Sequence, residues 1–458
     1  MIRSVLAVLV AALVASAILV AAPPPPDWLA PQREAASRLI GEALSTTHAW
    51  QRLAELTDTF GHRLSGSKAL EDAVAWAVAE MKRDGLDNVR AEKVMVPHWV
   101  RGRESVELVE PGPQQLVMLG LGNSVGTPPE GITAEAIVVR NFDELDALGR
   151  RVAGRIVVFN VPFTNYGETV RYRSSGASRA AALGAVGMLL RSVGQPGLRT
   201  PHTGVLSYAD NAPRIPAAAI AEEDASRLQR LQDRGVKLVV RLSMEARMLP
   251  DAESANVVAE IVGREHPEEI VLIGGHLDSW DVGTGATDDG GGSIASWEAI
   301  RLMRKLGLRP RRTVRAVLFA NEENGGRGGI GYRDQHEAEL PNHLLMLEID
   351  GGVFRPRGFG FSGSEAARSL VKDISSLLAG IDATAIGPAG GGVDIGPSVE
   401  AGKIAAMSLD VESSLYFTIH HTAADTIERI DPTDLAKCVA AVAVMSYVVA
   451  DMPQRLPR

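Results

Sequence analysis

The chain has 458 residues, beyond the size at which one hydrophobic core usually stops growing, so two domains or one heavily decorated domain are expected. Its 47 Lys and Arg against 56 Asp and Glu leave a formal charge of -9, which argues against a nucleic-acid partner, since that would need clustered basic residues. With 45% hydrophobic and 22% charged residues, the composition is that of an ordinary globular protein.

At the amino end, Arg3 precedes an apolar run from Val5 to Ala22 that only Ser16 interrupts. Ala15-Ser16-Ala17 offers a small-x-small cleavage site and Pro23 to Pro26 a stiff break, so residues 1–22 read as an export signal. The run is also long enough for an uncleaved membrane anchor, and no other segment reads as long and apolar enough to cross a bilayer. Cys438 is the sole cysteine, so no intrachain disulfide can form, and no asparagine is followed by x-Ser or x-Thr. An exported chain without either feature suits a bacterial periplasm better than a eukaryotic secretory pathway, so a periplasmic or secreted protein is expected.

Residues 23–44 read as a linker and N-terminal helix, and residues 28–56 carry an amphipathic helical pattern. Residues 67–83 form another, with Leu70, Val74, Ala77, Val78 and Met81 on one core-facing side. From about residue 131 short β-rich runs begin: AEAIVVR, GRIVVFNVPF, VGMLLRS, IPAAAI and VKLVVRL, with the helical SRAAALGA between them. To about residue 244 this block reads as a compact α/β insert. The remainder alternates strand and helix: EEIVLIGGH, GGSIASWEAIRLMRKLG, RRTVRAVLFANEE, HLLMLEIDGG and a closing helix over residues 433–450. These continuous apolar runs predict an α/β fold, a mostly parallel twisted sheet with helices on both faces, binding ligands beyond the strands' carboxyl ends.

Three of those strands end in metal-ligand residue types: His276, Glu322-Glu323 and Asp350. FTIHHTAADT adds His420 and His421, and Asp288-Asp289 sits in the glycine loop after His276. A lone histidine after a strand is more often structural, and an acidic pair is usually a solvated turn. Four such groups beside apolar strands point instead to metal, because zinc takes imidazole nitrogen and carboxylate oxygen, and two-metal hydrolases need a bridging carboxylate.

In this order, GGHLDSWDVGTGATDDGGG, NEENGG, EIDGG and HHTAADT resemble the motifs of the co-catalytic zinc exopeptidases. The resemblance runs from about Asp58 to the C-terminus and includes NSVGTPPEGITAE, TPHTG at residues 200–204 and SYVVADM at residues 446–452. It implies the zinc exopeptidase fold in two segments, 45–120 and 246–458, with a protease-associated domain inserted at 121–245. It also implies two Zn2+ ions, one on His276 and Asp350, the other on Glu323 and His421, with Asp288 bridging both. His421 is preferred to His420 because the matching ligand lies four residues before the acidic residue, here Asp425. Glu322 matches the general base. Asp278 matches a carboxylate that accepts the His276 imidazole N–H and fixes its tautomer.

His420 stands where related enzymes stabilise the tetrahedral oxyanion, and an N–H donor and a packing residue are both open readings. Asp394 matches an aspartate near the substrate pocket or is a turn residue in a glycine-rich loop. Asn321 departs from the usual Ala before the glutamates, which bears on packing or substrate contacts. A homodimer acting on dipeptides or short peptides is implied, with no membrane association beyond the N-terminal anchor.

Chemically, two zinc ions about 3.5–4 Å apart would activate water and polarise the scissile carbonyl. Glu322 would take the proton from that water and pass it to the leaving amine. Neighbours on an extended strand point opposite ways, so giving Glu322 and Glu323 these two roles requires a turn or a strained peptide. Three readings compete. Gly122-Asn123-Ser124-Val125-Gly126 fits a serine nucleophile elbow, although Thr127-Pro128-Pro129 follows where a helix should start. A catalytically silent binding homologue would have lost ligands that this chain keeps. A zinc aminopeptidase or aminoacylase would differ only in its pocket walls.

Overall fold

Two eight-stranded sheets organise residues 27–458, which the computed structural model describes. The export or anchor segment at residues 1–22 lies outside the described residues. In chain order the strands are β1 Asp87–Val100, β2 Glu104–Glu110, β3 Gln114–Leu116, β4 Met118–Gly120, β5 Ile132–Val139, β6 Ile156–Phe159, β7 Gly187–Arg191, β8 Ala217–Ile220 and β9 Val239–Met244. They continue as β10 Arg247–Ile261, β11 His266–His276, β12 Arg312–Phe319, β13 His343–Glu348, β14 Pro356–Ser362, β15 Ala385–Gly387 and β16 Ala405–Val411.

The first sheet runs β1-β10-β12-β11-β13-β16-β14-β15. Its centre, β12-β11-β13-β16, is parallel, while the β1–β10, β10–β12 and β14–β16 pairings are antiparallel. The sheet is thus more mixed than the apolar runs suggested, because runs buried on both faces do not record strand direction. Val271 and Ile273 of β11 pack among the helices Gln32–Leu44, Gly291–Lys305 and Pro432–Asp451. Leu272 faces the opposite side with Phe319, Tyr332 and Ile395. Both faces are apolar, so the strand has no polar alternation.

The stretch over 28–56 contains two helices, Gln32–Leu44 and His48–Phe60. They break where Thr46 Oγ1 accepts the His48 N–H at 3.2 Å, a local bond that competes with helix. In the helix Lys68–Arg83, Ser67 Oγ caps the Leu70 N–H, and Leu70, Val74, Ala77 and Met81 are buried while Val78 lies at the edge. The helix Pro432–Asp451 starts at the cap Asp431. Contrary to expectation it is long and apolar enough to cross a bilayer, but its apolar stretch is 83% buried in the core, which accounts for that composition. Cys438 is buried within it.

The second sheet runs β3-β2-β9-β5-β6-β7-β8-β4, with β5 to β8 parallel and antiparallel pairings at both ends. It begins at Glu104, ahead of residue 121, because β2 pairs with β9 and β4 with β8. The antiparallel pair β1 and β10 leads into and out of it, with Val100 opposite Arg247. Trp99 and Trp280 meet edge to face at 6.5 Å within the second sheet's core. A Cβ on Gly122 would collide with the Trp280 ring, so only glycine allows this approach. Asp281 is engaged by the Arg101 guanidinium across the same seam.

Candidate metal centre

Strands β12, β11 and β13 lie side by side and parallel, so the residues that follow them emerge along one edge. His276 Nε2 lies 3.3 Å from Asp288 Oδ1 and 3.4 Å from Asp350 Oδ1. Asp288 Oδ2 lies 3.2 Å from His421 Nε2, which is 3.1 Å from Glu323 Oε2. Asp288 therefore stands between two groups and turns one oxygen to each. His420 Nε2 is 3.6 Å from Asp288 Oδ2, and its ring stacks on His421 with centroids 3.5 Å apart. Glu322 lines a cavity of about 630 Å3 beside these residues.

This donor set fits metal. His276 Nε2 and Asp288 Oδ2 are buried without a hydrogen-bond partner among the described residues. Ligand atoms of His276, Asp288 and Asp350 lie within 4.8 Å of one another, as do those of Asp288, His420 and His421. Burial pushes Glu322 and Glu323 well above the ordinary carboxylate range, and nearby carboxylates add to the shift. Buried carboxylates crowded around imidazoles call for cations, and imidazole nitrogen with carboxylate oxygen is a zinc donor set.

The loop between His276 and Asp288 is braced from several sides. Arg63, fully buried, donates to the carbonyls of Leu277, Thr284 and Gly285, and burial lowers its pKa to about 10. Gly285 has φ 57, and a Cβ there would strike Ser279. Asp425 accepts the Thr287 and Asp288 N–H groups at 2.7 and 3.1 Å. Asp289, given no metal contact from the sequence, accepts the N–H groups of His276 and Gly292 at 3.1 and 3.0 Å. Arg63 escaped sequence reasoning because nothing in FGHRLSGS distinguishes a buried brace from a surface arginine.

Asp278 departs from expectation in one respect. The His276 Nδ1 lies 2.9 Å from the main-chain carbonyl of Asp278, while the carboxylate Oδ1 is 3.7 Å away. That carboxylate instead accepts the N–H groups of Glu322 and Glu323 at 3.1 and 3.3 Å. The carbonyl is the nearer acceptor because both carboxylate oxygens are aimed at the glutamate turn. Asn321 supplies that turn with φ 66, a left-handed conformation that asparagine tolerates. Its Nδ2 donates to Ser65 Oγ at 3.0 Å and to Asn324 Oδ1 at 2.6 Å. The residue is buried and is not among the residues lining the cavity, so it acts on the loop.

The second sheet's loops hold the histidine pair. Thr203 N–H donates to His421 O at 3.0 Å, Gln195 N–H to Phe417 O at 2.9 Å, and His202 Nδ1 lies 2.7 Å from His420 O. Thr203 O sits 3.3 Å from His421 Nδ1, an acceptor for that N–H when Nε2 is the metal-facing nitrogen. His421 has φ 60, a strained conformation for histidine that these bonds sustain. In the sequence only TPHTG marked this loop.

Two further expectations are altered. Ser124 is buried, its Oγ donating to Val125 O and accepting from Ala217 N–H, both at 2.9 Å, so it serves the backbone and is no nucleophile. Asp394 is buried with neither carboxylate oxygen partnered among the described residues, and it is Val393, not Asp394, that lines the cavity.

A sheet with a parallel centre, whose edge gathers two imidazole–carboxylate groups around one aspartate beside a half-buried glutamate, defines a metallopeptidase of the α/β class. The chain belongs to peptidase family M28, whose pattern matches residues 256–446. It is 47% identical to carboxypeptidase Q of Homo sapiens over 410 residues, covering 90% of this chain and 87% of that protein. With carboxypeptidase Q of Bos taurus the identity is 48% over the same coverage. Among solved structures, a peptidase M28 precursor from Shewanella amazonensis SB2B superposes with TM-score 0.90 at 35% identity, over 94% of this chain and 99% of that one. A zinc aminopeptidase from Bacillus subtilis shares the fold, with TM-score 0.67 at 20% identity over 89% and 96% of the two chains.

Proposed function

We propose that this protein is an exported dizinc exopeptidase that hydrolyses dipeptides or short peptides. The observation that carries this reading is Asp288, whose two oxygens face His276 and His421 at 3.3 and 3.2 Å. His276 and Asp350 would hold one zinc, Glu323 and His421 the other, and Asp288 both. When bound, zinc supplies Lewis acidity and lowers the pKa of water. Glu322, facing the cavity, takes a proton from the attacking water and delivers it to the leaving amine. Asp278 fixes the backbone of that glutamate by accepting its N–H. Burial keeps His420 neutral, and its Nδ1, without a hydrogen-bond partner among the described residues, would stabilise the oxyanion as the protonated ring nitrogen.

The apolar segment at residues 1–22 supports export to the periplasm or beyond, by cleavage or as an anchor. The second sheet is read as the inserted protease-associated domain, and a homodimer is proposed from the resemblance to the co-catalytic exopeptidases. An aminopeptidase is the second reading, since leucine aminopeptidase 2 of Trichophyton equinum is 28% identical over 63% of the chain. Glu322→Gln is expected to lower kcat by about 10²–10⁴-fold while zinc, measured by elemental analysis, remains bound. Near-normal turnover would reject Glu322 as the base. A purified protein unable to take up zinc would reject the metallopeptidase mechanism.

A further inference from the structure

A second cavity, of about 370 Å3, opens at the seam of the two sheets. Leu64, Trp99 and Val100 give it an apolar wall, and Asp281 and the imidazoles of His62 and His98 complete it. Arg101 also lines it, but every guanidinium nitrogen already has acceptors: Asp281 for Nε at 2.8 Å, Asp281 and Thr203 Oγ1 for Nη2, Gly120 O and Glu104 for Nη1. Among the described residues neither the His62 nor the His98 ring has a hydrogen-bond partner. The His98 ring is held by main chain, since a Cβ on Gly66, which has φ 81, would lie 2.7 Å from it. The same wall touches the groups that fix the catalytic glutamates. Ser65 Oγ accepts from Asn321 Nδ2 at 3.0 Å and donates at 3.4 Å to Asp278, the carboxylate that takes the Glu322 and Glu323 N–H groups. Trp99 packs on Trp280, whose main-chain N–H donates to Glu323 Oε1 at 3.2 Å. Asp281 itself belongs to the loop between His276 and Asp288.

We propose that this seam cavity is a second binding site, for a free amino acid with an apolar side chain, and that its occupancy slows catalysis through the glutamate turn. The source of that ligand rests on the exopeptidase reading above, since cleavage of dipeptides releases free amino acids. The volume falls at the small end of the about 300–1,000 Å3 usual for ligand sites. Arg101 and Asp281 carry opposite charges, so the wall suits a zwitterion better than a net anion or cation. Each Asp281 oxygen accepts one bond from Arg101 and keeps a lone pair for the ligand's ammonium. The His62 and His98 rings supply N–H donors for its carboxylate, and Leu64 and Val100 take its side chain. An ammonium on Asp281 draws on the carboxylate that ties the metal loop to Arg101, which sets the sign: the occupied enzyme turns over more slowly. The two cavities have no lining residue in common, so this ligand and the peptide bind together.

The test uses the zinc-loaded full-length enzyme, Ala-Ala as substrate and L-leucine as the added amino acid. Saturating Ala-Ala keeps leucine out of the catalytic cavity, and L-leucine should then lower kcat by about 5-fold or more. His98→Ala should abolish that loss while keeping zinc and the leucine-free kcat. His62→Ala, at an exposed position where folding is not at stake, should weaken the loss in the same direction. Acetate and butylamine, each carrying half of the zwitterion, should not reproduce it alone. In Glu322→Gln, which holds Ala-Ala uncleaved, calorimetric titration should show one leucine site that disappears when His98→Ala is added. A leucine effect on apparent KM alone, or one that survives both histidine substitutions, overturns the proposal and leaves the exopeptidase reading intact. So does full inhibition by acetate alone, which would make the cavity a general anion site. If no peptide is cleaved although zinc is bound, the exopeptidase reading falls, whereas leucine binding that His98→Ala removes would still establish the site.

Discussion

The two sheets share a plan and differ in what stands at the strand ends. Each has eight strands with four parallel ones together. Beyond its central strands the first places His276, the Glu322-Glu323 pair and Asp350, whereas β5 to β8 of the second are followed by Arg140, Asn160, Ser192 and Ala221. Two parallel centres, one with its strand order reversed at β11 and one sequential, thus carry metal-binding residue types in one sheet and none at the matching positions of the other, because chemistry belongs to side chains grafted on a fold. The second sheet takes part by another route, through loop backbone that grips the His420-His421 segment and through Arg173 in the cavity wall.

The largest effect should separate the two sheets outright. Asp288→Asn is expected to abolish turnover and deplete zinc, because both groups lose their shared carboxylate. Asn160→Ala, at the equivalent edge of the second sheet, should leave zinc content at the wild-type level; equal depletion would undo the distinction. Next come His202→Ala and Thr203→Pro, which remove the bonds to the main chain at His420 and His421, the proline also forfeiting the Thr203 hydroxyl's bonds to Gly120 O and Arg101. Each should weaken zinc binding by about 10–100-fold in competition with a chelator. Unchanged affinity would reduce the second sheet to a passive wall.

A third prediction contrasts two histidines of the first sheet. Among the described residues His276 Nε2 has no hydrogen-bond partner, whereas His343, at the amino end of β13, has Nδ1 3.0 Å from Glu339 O and Nε2 2.8 Å from the Tyr332 hydroxyl. Burial lowers the His343 pKa from 6.5 to about 4. The unfolded chain therefore binds this proton first, so the stability it contributes is complete above about pH 6.5 and is lost as pH falls toward 4. The loss is up to about 3 kcal/mol, and it should flatten in urea titrations of His343→Gln. Persistence of the full slope in that variant would show that another group is responsible. The smallest effect is assigned to Asn321→Ala, which puts alanine at positive φ and removes two side-chain donations. It should cost about 1–3 kcal/mol in thermal unfolding, and accompanying zinc loss would mean that the turn itself sets the Glu323 geometry.

Much of the site could be read from the chain because parallel strands align their ends. Once β11, β12 and β13 are recognised as apolar runs, the polar residues after them must lie near one another. The second sheet's beginning was less legible, since β2 to β4 are short or alternating and join the sheet by pairing with distant β9 and β8. Asp278 illustrates the limit at a single residue: the resemblance put its carboxylate beside His276, but the turn at Asn321 brings two amides nearer to it.

The sequence by itself determined which metal-binding residue types occur, their order and the strands that present them, because burial on both faces and metal affinity each demand particular residues. Tertiary structure alone decided that Arg63 braces the glycine loop, that Asp425 and Thr203 orient Asp288 and His421, and that Arg173 lines the cavity. Those roles depend on which groups meet across hundreds of residues of chain. Neither periodicity nor local propensity records such meetings.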